Sequence, residues 1–201
     1  RARRGDAGVS AGRAAIRRLM RERRREVPPA ARIGAADGLA DRLLAQPLGP
    51  GARVAGYWAA DGEIALHAWQ LRLPRDATYC LPVLHADGCL RFAPWRAGDP
   101  VEANRYGIPE PVVPAGALLE PAALDLVVVP LVGFDARCHR LGMGGGWYDR
   151  SFAFRHRQPA PPRLVGAAFA FQQVDGGLPS EDWDVQLDAV CTDQSTFTRA
   201  T

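Results

Sequence analysis

Lysine is absent from this sequence: all 25 basic residues in its 201 residues are arginine. The chain is also rich in Ala, Gly and Pro, a composition typical of a GC-rich genome. Without lysine the protein cannot form a Schiff base through an amine side chain, and it cannot grip a phosphate with a Walker loop. Two common classes of enzyme site are therefore excluded.

Cysteine is scarce and scattered, which argues against disulfide bonds and against cysteine-ligated zinc sites. Cys80, Cys89, Cys138 and Cys191 form no C-x-x-C pair, and the four histidines lack the spacing of metal ligands. We therefore expect four reduced thiols, as in a cytoplasmic protein, rather than a disulfide framework or a zinc site. No apolar run approaches the ~18 residues that cross a membrane, and the arginine-rich start lacks the apolar stretch of a signal peptide.

The positive charge is concentrated at the start of the chain. Ten arginines lie within residues 1–25 against Asp6 and Glu22, so the remaining chain is net negative although the total is +3. We expect residues 1–9 to form a disordered basic tail and residues 10–201 a single domain, because this length suits one sizeable core. The basic segment leaves open a nucleic-acid-binding protein, but no recognised nucleic-acid module accompanies it.

Hydrophobic patterning predicts alternating helices and strands. The continuous apolar run D-L-V-V-V-P-L-V over residues 125–132 predicts a central parallel strand buried on both faces. Ser10 is a candidate N-cap for the first helix, which should end before Pro28. The alternation predicts a Rossmann-like, three-layer α/β/α sandwich with a mainly parallel central sheet. Helices are predicted over residues 10–26, 30–44, 65–73 and 147–156. Strands are predicted over residues 53–58, 78–84, 89–92, 125–132, 164–169 and 187–191, with mostly loop over 94–121.

A glycine-rich segment follows the strongest predicted strand. It places Gly142, Gly144, Gly145 and Gly146 within five residues, just before a predicted helix. In an open α/β sheet, ligands bind beyond the carboxyl ends of the strands. Glycines there let backbone N–H groups approach a phosphate closely, with a helix N-terminus behind them. A tight turn alone would explain one or two glycines, so four of them favour a phosphate-binding loop.

Two charged residues flank these glycines. Arg140 at the start of the segment can make a bidentate contact with a phosphate. Asp149 lies one turn into the predicted helix, where it is either a helix-terminus charge or a Mg²⁺ ligand beside the phosphates. The Walker and dinucleotide-binding templates both fail, since there is no lysine and Trp147 stands where the second template needs glycine.

The run R-L-G-M-G-G-G-W-Y-D-R over residues 140–150 resembles the signature R-L-G-x-G-x-G-[YFW]-Y-D of the 5-formyltetrahydrofolate cyclo-ligase family, also called 5,10-methenyltetrahydrofolate synthetases. Other matches follow in family order across residues 11–193. They are R-A-A-I-R (13–17), Y-W (57–58), G-E-I (62–64), L-P (81–82), F-x-x-W (92–95), Y-G-I-P-E-P (106–111), V-V-V-P-L-V-G-F-D (127–135), Pro179, Asp184 and L-D-A-V (187–190).

This resemblance implies a reaction. The family uses ATP and Mg²⁺ to convert 5-formyltetrahydrofolate to 5,10-methenyltetrahydrofolate, with release of ADP and phosphate. The formyl oxygen attacks the γ-phosphate to give an iminium phosphate, N10 closes on that carbon, and phosphate leaves. Phosphoryl transfer of this kind relies on positioning and charge stabilisation, so no nucleophilic side chain is required.

The resemblance also implies site residues. Arg13 and Arg17, one helical turn apart, should reach the ATP phosphates, and Arg140 and Tyr148 should be catalytic. Asp149 and Asp184 should hold Mg²⁺. The implied ATP-binding residues are Arg13, Arg17, Arg140, Leu141, Gly142, Met143, Gly144, Gly145, Gly146, Trp147 and Tyr148. The implied folate-binding residues are Tyr57, Trp58, Glu63, Gly144, Gly145, Gly146, Trp147 and Tyr148, with Glu63 hydrogen-bonded to the pterin; Tyr57 and the tryptophans could instead belong to the core.

Alternatives remain open at this point. The arginine-rich helix could bind nucleic acid, although a solvated helix face over Arg18, Arg21, Arg23, Arg24 and Arg25 is the favoured interpretation. The chain could be a folate-binding relative without turnover, or an enzyme acting on another N-formyl compound. We expect a monomer whose partners are small molecules, with no membrane or nucleic-acid partner.

Overall fold

The computed structural model describes residues 4–200, apart from the side chains of residues 4–11 and Ala115. The α-helices within this range are α1 (Arg4–Glu26), α2 (Pro29–Leu44), α3 (His67–Arg72) and α4 (Trp147–Ser151). The strands are β1 (Arg53–Ala55), β2 (Thr78–Leu84), β3 (Leu90–Pro94), β4 (Val101–Ala103), β5 (Pro109–Pro111), β6 (Leu126–Pro130), β7 (Gly133–Phe134), β8 (Arg140–Leu141), β9 (Arg163–Ala168), β10 (Ala189–Thr192) and β11 (Thr196–Thr198). Short 3₁₀ turns occupy Ala115–Ala117, Pro121–Ala123, Ala153–His156 and Ala170–Gln172.

Seven strands form the central sheet, in the order β11-β10-β9-β6-β1-β2-β3. The inner neighbours from β10 to β2 pair in parallel, and only the two edge strands, β3 and β11, run antiparallel. The predicted α/β fold with a mainly parallel sheet is confirmed. Two small hairpins, β4–β5 and β7–β8, lie outside this sheet.

The sheet is buried on both faces, and different kinds of structure cover the two faces. Since side chains alternate along a strand, Val128 of β6 packs with α2 and α3 on one face, while Val127 and Val129 pack on the other. That second face is covered by α4, the 3₁₀ turn Ala153–His156 and the β7–β8 hairpin, with Phe134 and Phe152 in its core. Across residues 4–200, no helix is both long and apolar enough to cross a membrane.

Two predicted helix boundaries are wrong. Helix α1 begins at Arg4 rather than after Ser10, so residues 4–9 of the predicted disordered tail are helical, and residues 1–3 lie outside the described range. Glycine costs about 1 kcal/mol in a helix but does not block its hydrogen bonds as proline does, so the glycines of this segment do not end the helix. The helix predicted over residues 147–156 ends at Ser151 and continues only as a 3₁₀ turn.

Five short strands were missed: β4, β5, β7, β8 and β11. Strands β7 and β8 have only two residues each, too few to carry an alternating pattern. The stretch predicted as loop over residues 94–121 contains the β4–β5 hairpin, whose strands are three residues each, and β5 includes two prolines. Proline lacks the backbone donor of a strand residue, so sequence patterning argues against this segment. Strand β11 was also missed, because three residues at the sheet edge carry little patterning.

Substitution of alanine for two different glycines of helix α2 should have opposite effects on stability. A Cβ at Gly38 would lie 2.5 Å from the backbone oxygen of Asp193, whereas a Cβ at Gly34 would meet nothing within 4 Å. We expect Gly38→Ala to lower the free energy of unfolding by about 1–3 kcal/mol, the usual cost of an overfilled contact. Gly34→Ala should raise it by about 0.5–1 kcal/mol, because alanine is the better helix former. Urea unfolding of both variants checks this; a change of the same sign in both would contradict the α2–Asp193 contact.

Candidate functional site

A cleft of about 840 Å³ opens at the carboxyl ends of the parallel strands. Tyr57 and Trp58 follow β1, Leu131 follows β6, and Leu84 ends β2; all four line the cleft. This is the edge at which ligands bind in open α/β sheets. Helix α1 and the glycine-rich segment form the walls above it.

The glycine-rich segment lines this cleft and has backbone N–H groups without a partner among the described residues. Gly144 and Gly146 have φ values of 101° and 66°, a conformation that favours glycine. The backbone N–H groups of residues 143–146 donate no hydrogen bond to any other described residue. Successive unpaired N–H groups in such a turn form a concave binding site for an anion. Helix α4 has only five residues, so these N–H groups matter more than its dipole.

Helix α1 contributes two arginines to the same end of the cleft. Arg13 makes a bidentate ion pair with Asp184, at 2.7 Å and 3.2 Å. One turn later, the Arg17 Nε donates to the carbonyl oxygen of Gly142 at 2.8 Å. The predicted placement of both arginines on one helix face is therefore consistent with their contacts, since both reach the cleft.

A second ion pair completes this end. The Arg140 Nη2 donates to the Asp149 Oδ1 at 2.6 Å, and the Arg140 guanidinium lies 5.9 Å from the centre of the Tyr148 ring. The same Asp149 oxygen accepts the N–H of Val185 at 3.1 Å. The two arginines and two aspartates of the pairs are mostly buried, and each charge is neutralised by its partner.

These pairings determine the protonation of the site. Burial alone would raise the pKa of Asp184, but hydrogen bonds from Arg13 and from the N–H of Glu181 outweigh it and lower the pKa. The hydrogen bond to Asp184 raises the pKa of Arg13. Burial, together with the nearby charge of Arg13, lowers the pKa of Arg17. Asp184 is therefore ionised at neutral pH, with its charge paired with Arg13.

The carboxylates of Asp149 and Asp184 are too few to hold Mg²⁺ without further ligands. Within residues 4–200, no group of three or more His, Cys, Asp and Glu side chains is placed to hold a metal ion. Asp149 and Asp184 supply two carboxylates in one cleft. Mg²⁺ is commonly held by one or two carboxylates, with substrate phosphates and water completing its shell. The residues therefore fit a cation that arrives with a phosphate, and do not fit a metal held by protein alone.

Glu63 marks the other end of the cleft. Its carboxylate is only 12% exposed and accepts the N–H of Ala60 at 3.0 Å. Burial raises the pKa of Glu63 to about 7. Helix α1 spans the distance between the two ends: from Arg13 beside Asp184 to Arg24 beside Glu63 is roughly 16 Å at 1.5 Å per residue.

The aromatic residues predicted for folate binding divide between core and cleft. Tyr57 is buried, and its hydroxyl donates to the carbonyl oxygen of Ile64 at 2.8 Å, so it also supports the loop that carries Glu63. Trp58 is partly exposed in the cleft and packs edge-on against Trp95 with 5.1 Å between ring centroids. Leu141, predicted to bind ATP, is 1% exposed and does not line the cleft, because its side chain belongs to the core.

The β4–β5 hairpin supplies residues that the sequence analysis did not assign to the site. Tyr106, Asn104 and Glu110 line the cleft, and the Tyr106 hydroxyl accepts a hydrogen bond from Trp147 Nε1 at 3.4 Å. Glu110 holds the hairpin in place by accepting the N–H of Leu84 at 2.9 Å. The Y-G-I-P-E-P match to the family was the available signal, but it was not assigned a role. Other lining residues also missed are Ala60, Asp61, Pro82, Leu84, Leu90, Ile108, Pro130, Leu131, Glu181 and Trp183.

The arginines of α1 do not form a uniform solvated face. Arg21, Arg24 and Arg25 all contact Asp61, at 2.6, 2.9 and 3.0 Å, and the Arg21 contact in particular holds the pKa of Asp61 well below its usual range. Arg24 is fully buried, so the solvated interpretation is wrong for that residue. Arg18 and Arg23 are exposed as expected. Much of the charge that suggested nucleic-acid binding is therefore paired within the protein.

The sequence of this chain matches a known protein family. The model of the 5-formyltetrahydrofolate cyclo-ligase family matches residues 9–193. The chain belongs to the 5-formyltetrahydrofolate cyclo-ligase family. The resemblance seen in residues 140–150 is confirmed, and the cyclo-ligase family is a family of enzymes.

Cyclo-ligases of two bacteria match most of the chain. A 5-formyltetrahydrofolate cyclo-ligase of Escherichia coli strain K12 is 35% identical over 179 residues, which are 87% of this chain and 96% of that protein. A 5-formyltetrahydrofolate cyclo-ligase of Mycolicibacterium smegmatis is 30% identical over 188 residues, covering 88% of this chain and 91% of that protein. The family model, which matches residues 9–193, covers most of α1 and the whole glycine-rich segment.

A solved structure shares the cyclo-ligase fold described above. The NMR structure of Aquifex aeolicus 5,10-methenyltetrahydrofolate synthetase has a TM-score of 0.77 and 24% sequence identity, and the match covers 92% of each chain. At this identity the likeness establishes the fold, and the roles of individual residues must be argued from the cleft itself.

Proposed function

We propose that this chain catalyses the ATP- and Mg²⁺-dependent conversion of 5-formyltetrahydrofolate to 5,10-methenyltetrahydrofolate, with release of ADP and phosphate, as part of folate one-carbon metabolism. One observation carries the proposal: a single cleft has unpaired N–H groups and arginines at one end, and a buried carboxylate among aromatic side chains at the other. The first end suits a polyphosphate, and the second suits a ring that carries N–H donors. Membership of the cyclo-ligase family supports this pairing of substrates.

The nucleotide end is assigned residue by residue. Arg13, Arg17 and Arg140 bind the phosphates, together with the N–H groups of residues 143–146. Asp149 and Asp184 would hold Mg²⁺. When bound, the ion neutralises charge on the phosphate oxygens and acts as a Lewis acid. Binding of a polyphosphate requires Arg13 and Arg140 to loosen their present ion pairs, since each guanidinium already faces a carboxylate.

The chemistry needs positioned groups rather than a nucleophilic side chain. The formyl oxygen attacks the γ-phosphorus, the bond from that phosphorus to the bridging oxygen breaks, and ADP leaves. N10 then attacks the former formyl carbon and loses its proton to solvent, and the carbon–oxygen bond breaks to release phosphate. Arg140 stabilises charge on the transferred group from its position beside Tyr148. Tyr148 is largely shielded, and burial raises the pKa of its hydroxyl, so it acts as a neutral group in the wall.

The folate end relies on Glu63 as a hydrogen-bond acceptor. A pterin ring presents N–H donors, and an ionised carboxylate accepts them, whereas a protonated carboxyl loses part of that capacity. Because burial raises the pKa of Glu63 to about 7, folate binding should strengthen as the pH rises through neutrality. Trp58 and Trp147 offer ring faces in the same cleft.

We further propose a cytoplasmic monomer in which residues 10–201 act as one catalytic domain. The cleft is lined by residues from Arg13 to Asp184 of one chain, and all four cysteines are free thiols in the described structure. Light scattering coupled to size-exclusion chromatography tests the monomer directly. A dimer mass would overturn this part without affecting the assignment of the cleft.

An absorbance assay tests the reaction. Purified protein with 5-formyltetrahydrofolate, ATP and Mg²⁺ should give a rising band of the methenyl product, and omission of ATP or addition of EDTA should abolish the rise. A folded protein that binds ATP but gives no band would sink the proposal. If it also binds 5-formyltetrahydrofolate, it is a folate-binding relative without turnover; if it does not, other N-formyl compounds become the substrates to test.

A further inference from the structure

A fully buried arginine lies directly behind the folate end of the cleft. Arg24 of α1 is 0% exposed, and it does not line the cleft itself. Burying a guanidinium is costly unless carboxylates and hydrogen bonds compensate for the lost water. The position of Arg24 therefore requires an explanation in terms of the charges that it faces.

Arg24 faces two carboxylates of one turn. Its Nη2 donates to the Asp61 Oδ2 at 2.9 Å, and its Nη1 lies 3.9 Å from the Glu63 Oε1. The same Nη1 donates to the carbonyl oxygen of Leu131 at 3.3 Å, while Nε has no hydrogen-bond partner among the described residues. One side chain thus joins α1, the end of β6 and the turn that carries Glu63.

The turn itself is tightly held against α1. Asp61 and Gly62 both have positive φ, at 48° and 75°, and a Cβ on Gly62 would lie 3.3 Å from the carbonyl oxygen of Arg24. Arg32 of α2 donates to the carbonyl oxygens of both Gly62 and Arg24. The backbone around Glu63 is therefore packed against α1 and hydrogen-bonded to α2.

We propose that Arg24 is a positioning residue for the folate end: its contacts with Asp61, Glu63 and the carbonyl oxygen of Leu131 fix the 61–63 turn and hold the Glu63 carboxylate at the cleft. The proposal rests on the proposed function, since it takes Glu63 as the group that accepts pterin N–H donors. Arg24 touches no substrate in this account and acts only through Glu63.

The charges around Glu63 give this role a measurable consequence. The titratable groups that face it are Arg24 from α1, Asp61 from its own turn, Tyr57 after β1 and Tyr148 from α4. Burial raises the pKa of Glu63, Asp61 adds to the rise, and Arg24 opposes it. Loss of Arg24 should raise the pKa further, so that Glu63 is protonated at neutral pH and binds folate poorly.

The test compares Arg24→Met with Arg21→Met across pH 6 to 9. Arg21 also contacts Asp61, at 2.6 Å, but it is 38% exposed and, unlike Arg24, does not lie within ion-pair distance of Glu63. We expect Arg24→Met to raise the KM for 5-formyltetrahydrofolate about fivefold at pH 7, the effect of raising the pKa of Glu63 by one unit from about 7, and to approach the wild type at pH 9. The KM for ATP should stay close to the wild-type value. Arg21→Met should leave the profile unchanged.

Three further results keep the proposal falsifiable. In a Glu63→Gln background, Arg24→Met should cause no additional pH shift, because the titrating group is gone. If Arg24→Met does not fold, Asp61→Asn replaces it in the test. Removing the negative charge of Asp61 should move the pH profile of the KM for 5-formyltetrahydrofolate to lower pH. A rise in KM of equal size at every pH, an equal rise for ATP, or an unshifted Asp61→Asn profile overturns the positioning role. A wild type without turnover overturns the proposed function, and this role with it.

Discussion

Asp149→Asn should lower kcat/KM by about 10²–10³, which corresponds to about 3–4 kcal/mol of lost transition-state stabilisation. Asparagine keeps the shape of the side chain, and its oxygen can still accept the N–H of Val185. It loses the charge that pairs with Arg140 at 2.6 Å and that would hold Mg²⁺. The kcat/KM for 5-formyltetrahydrofolate should be measured from the initial rate of methenyl product formation at saturating ATP. The measurement should be repeated at several Mg²⁺ concentrations.

Asp182 offers a matched control for this prediction. Asp182 is exposed and lies two residues before Asp184, so Asp182→Asn removes an equal charge without touching the cleft. We expect that variant to behave as the wild type. If Asp149→Asn lost no more activity than Asp182→Asn, the carboxylate of Asp149 would have no part in the reaction, and its pairing with Arg140 would be structural only.

Arg140→Met carries the second large expected effect. Methionine preserves much of the apolar stem of a side chain that is 7% exposed, but it removes the guanidinium beside Asp149 and Tyr148. Because Arg140 is assigned to charge that develops on the transferred phosphoryl group, we expect kcat to fall by about 10²–10³ and KM to change less. Arg140→Lys should recover only part of the rate, since an ammonium group lacks the planar fork.

Arg137 provides the control in the same loop. Its side chain is 69% exposed, lies 3.8 Å from the buried Asp135 and does not line the cleft. Arg137→Met should therefore retain wild-type kinetics. A kcat for Arg140→Lys equal to that of the wild type would show that charge alone suffices. Equal kinetics for Arg140→Met and Arg137→Met would remove Arg140 from the site.

Local sequence signals were sufficient for the centre of the fold. The apolar run of β6 predicted a strand buried on both faces, and Leu126 to Val129 are all buried there. The glycine-rich segment predicted a binding loop beyond that strand, and the loop does line the cleft. Both signals are carried by consecutive residues, so no long-range contact was needed to interpret them.

Features that depend on distant residues were not predictable in the same way. Arg24 looks like one more charge in an arginine-rich helix, and its burial depends on Asp61 and Glu63, which lie far along the chain. The β4–β5 hairpin has three-residue strands, and it is held by Glu110 bonding to the N–H of Leu84 in another strand. In both cases tertiary contacts, rather than local propensity, decide the structure.

The central claim is that one cleft couples ATP cleavage to closure of the folate ring, and a paired product count tests it most directly. Wild-type protein, 5-formyltetrahydrofolate, ATP and Mg²⁺ should release phosphate and form methenyl product in equal amounts at every time point, and neither product should appear without both substrates. Phosphate released without methenyl product, or methenyl product formed without ATP, would contradict the claim.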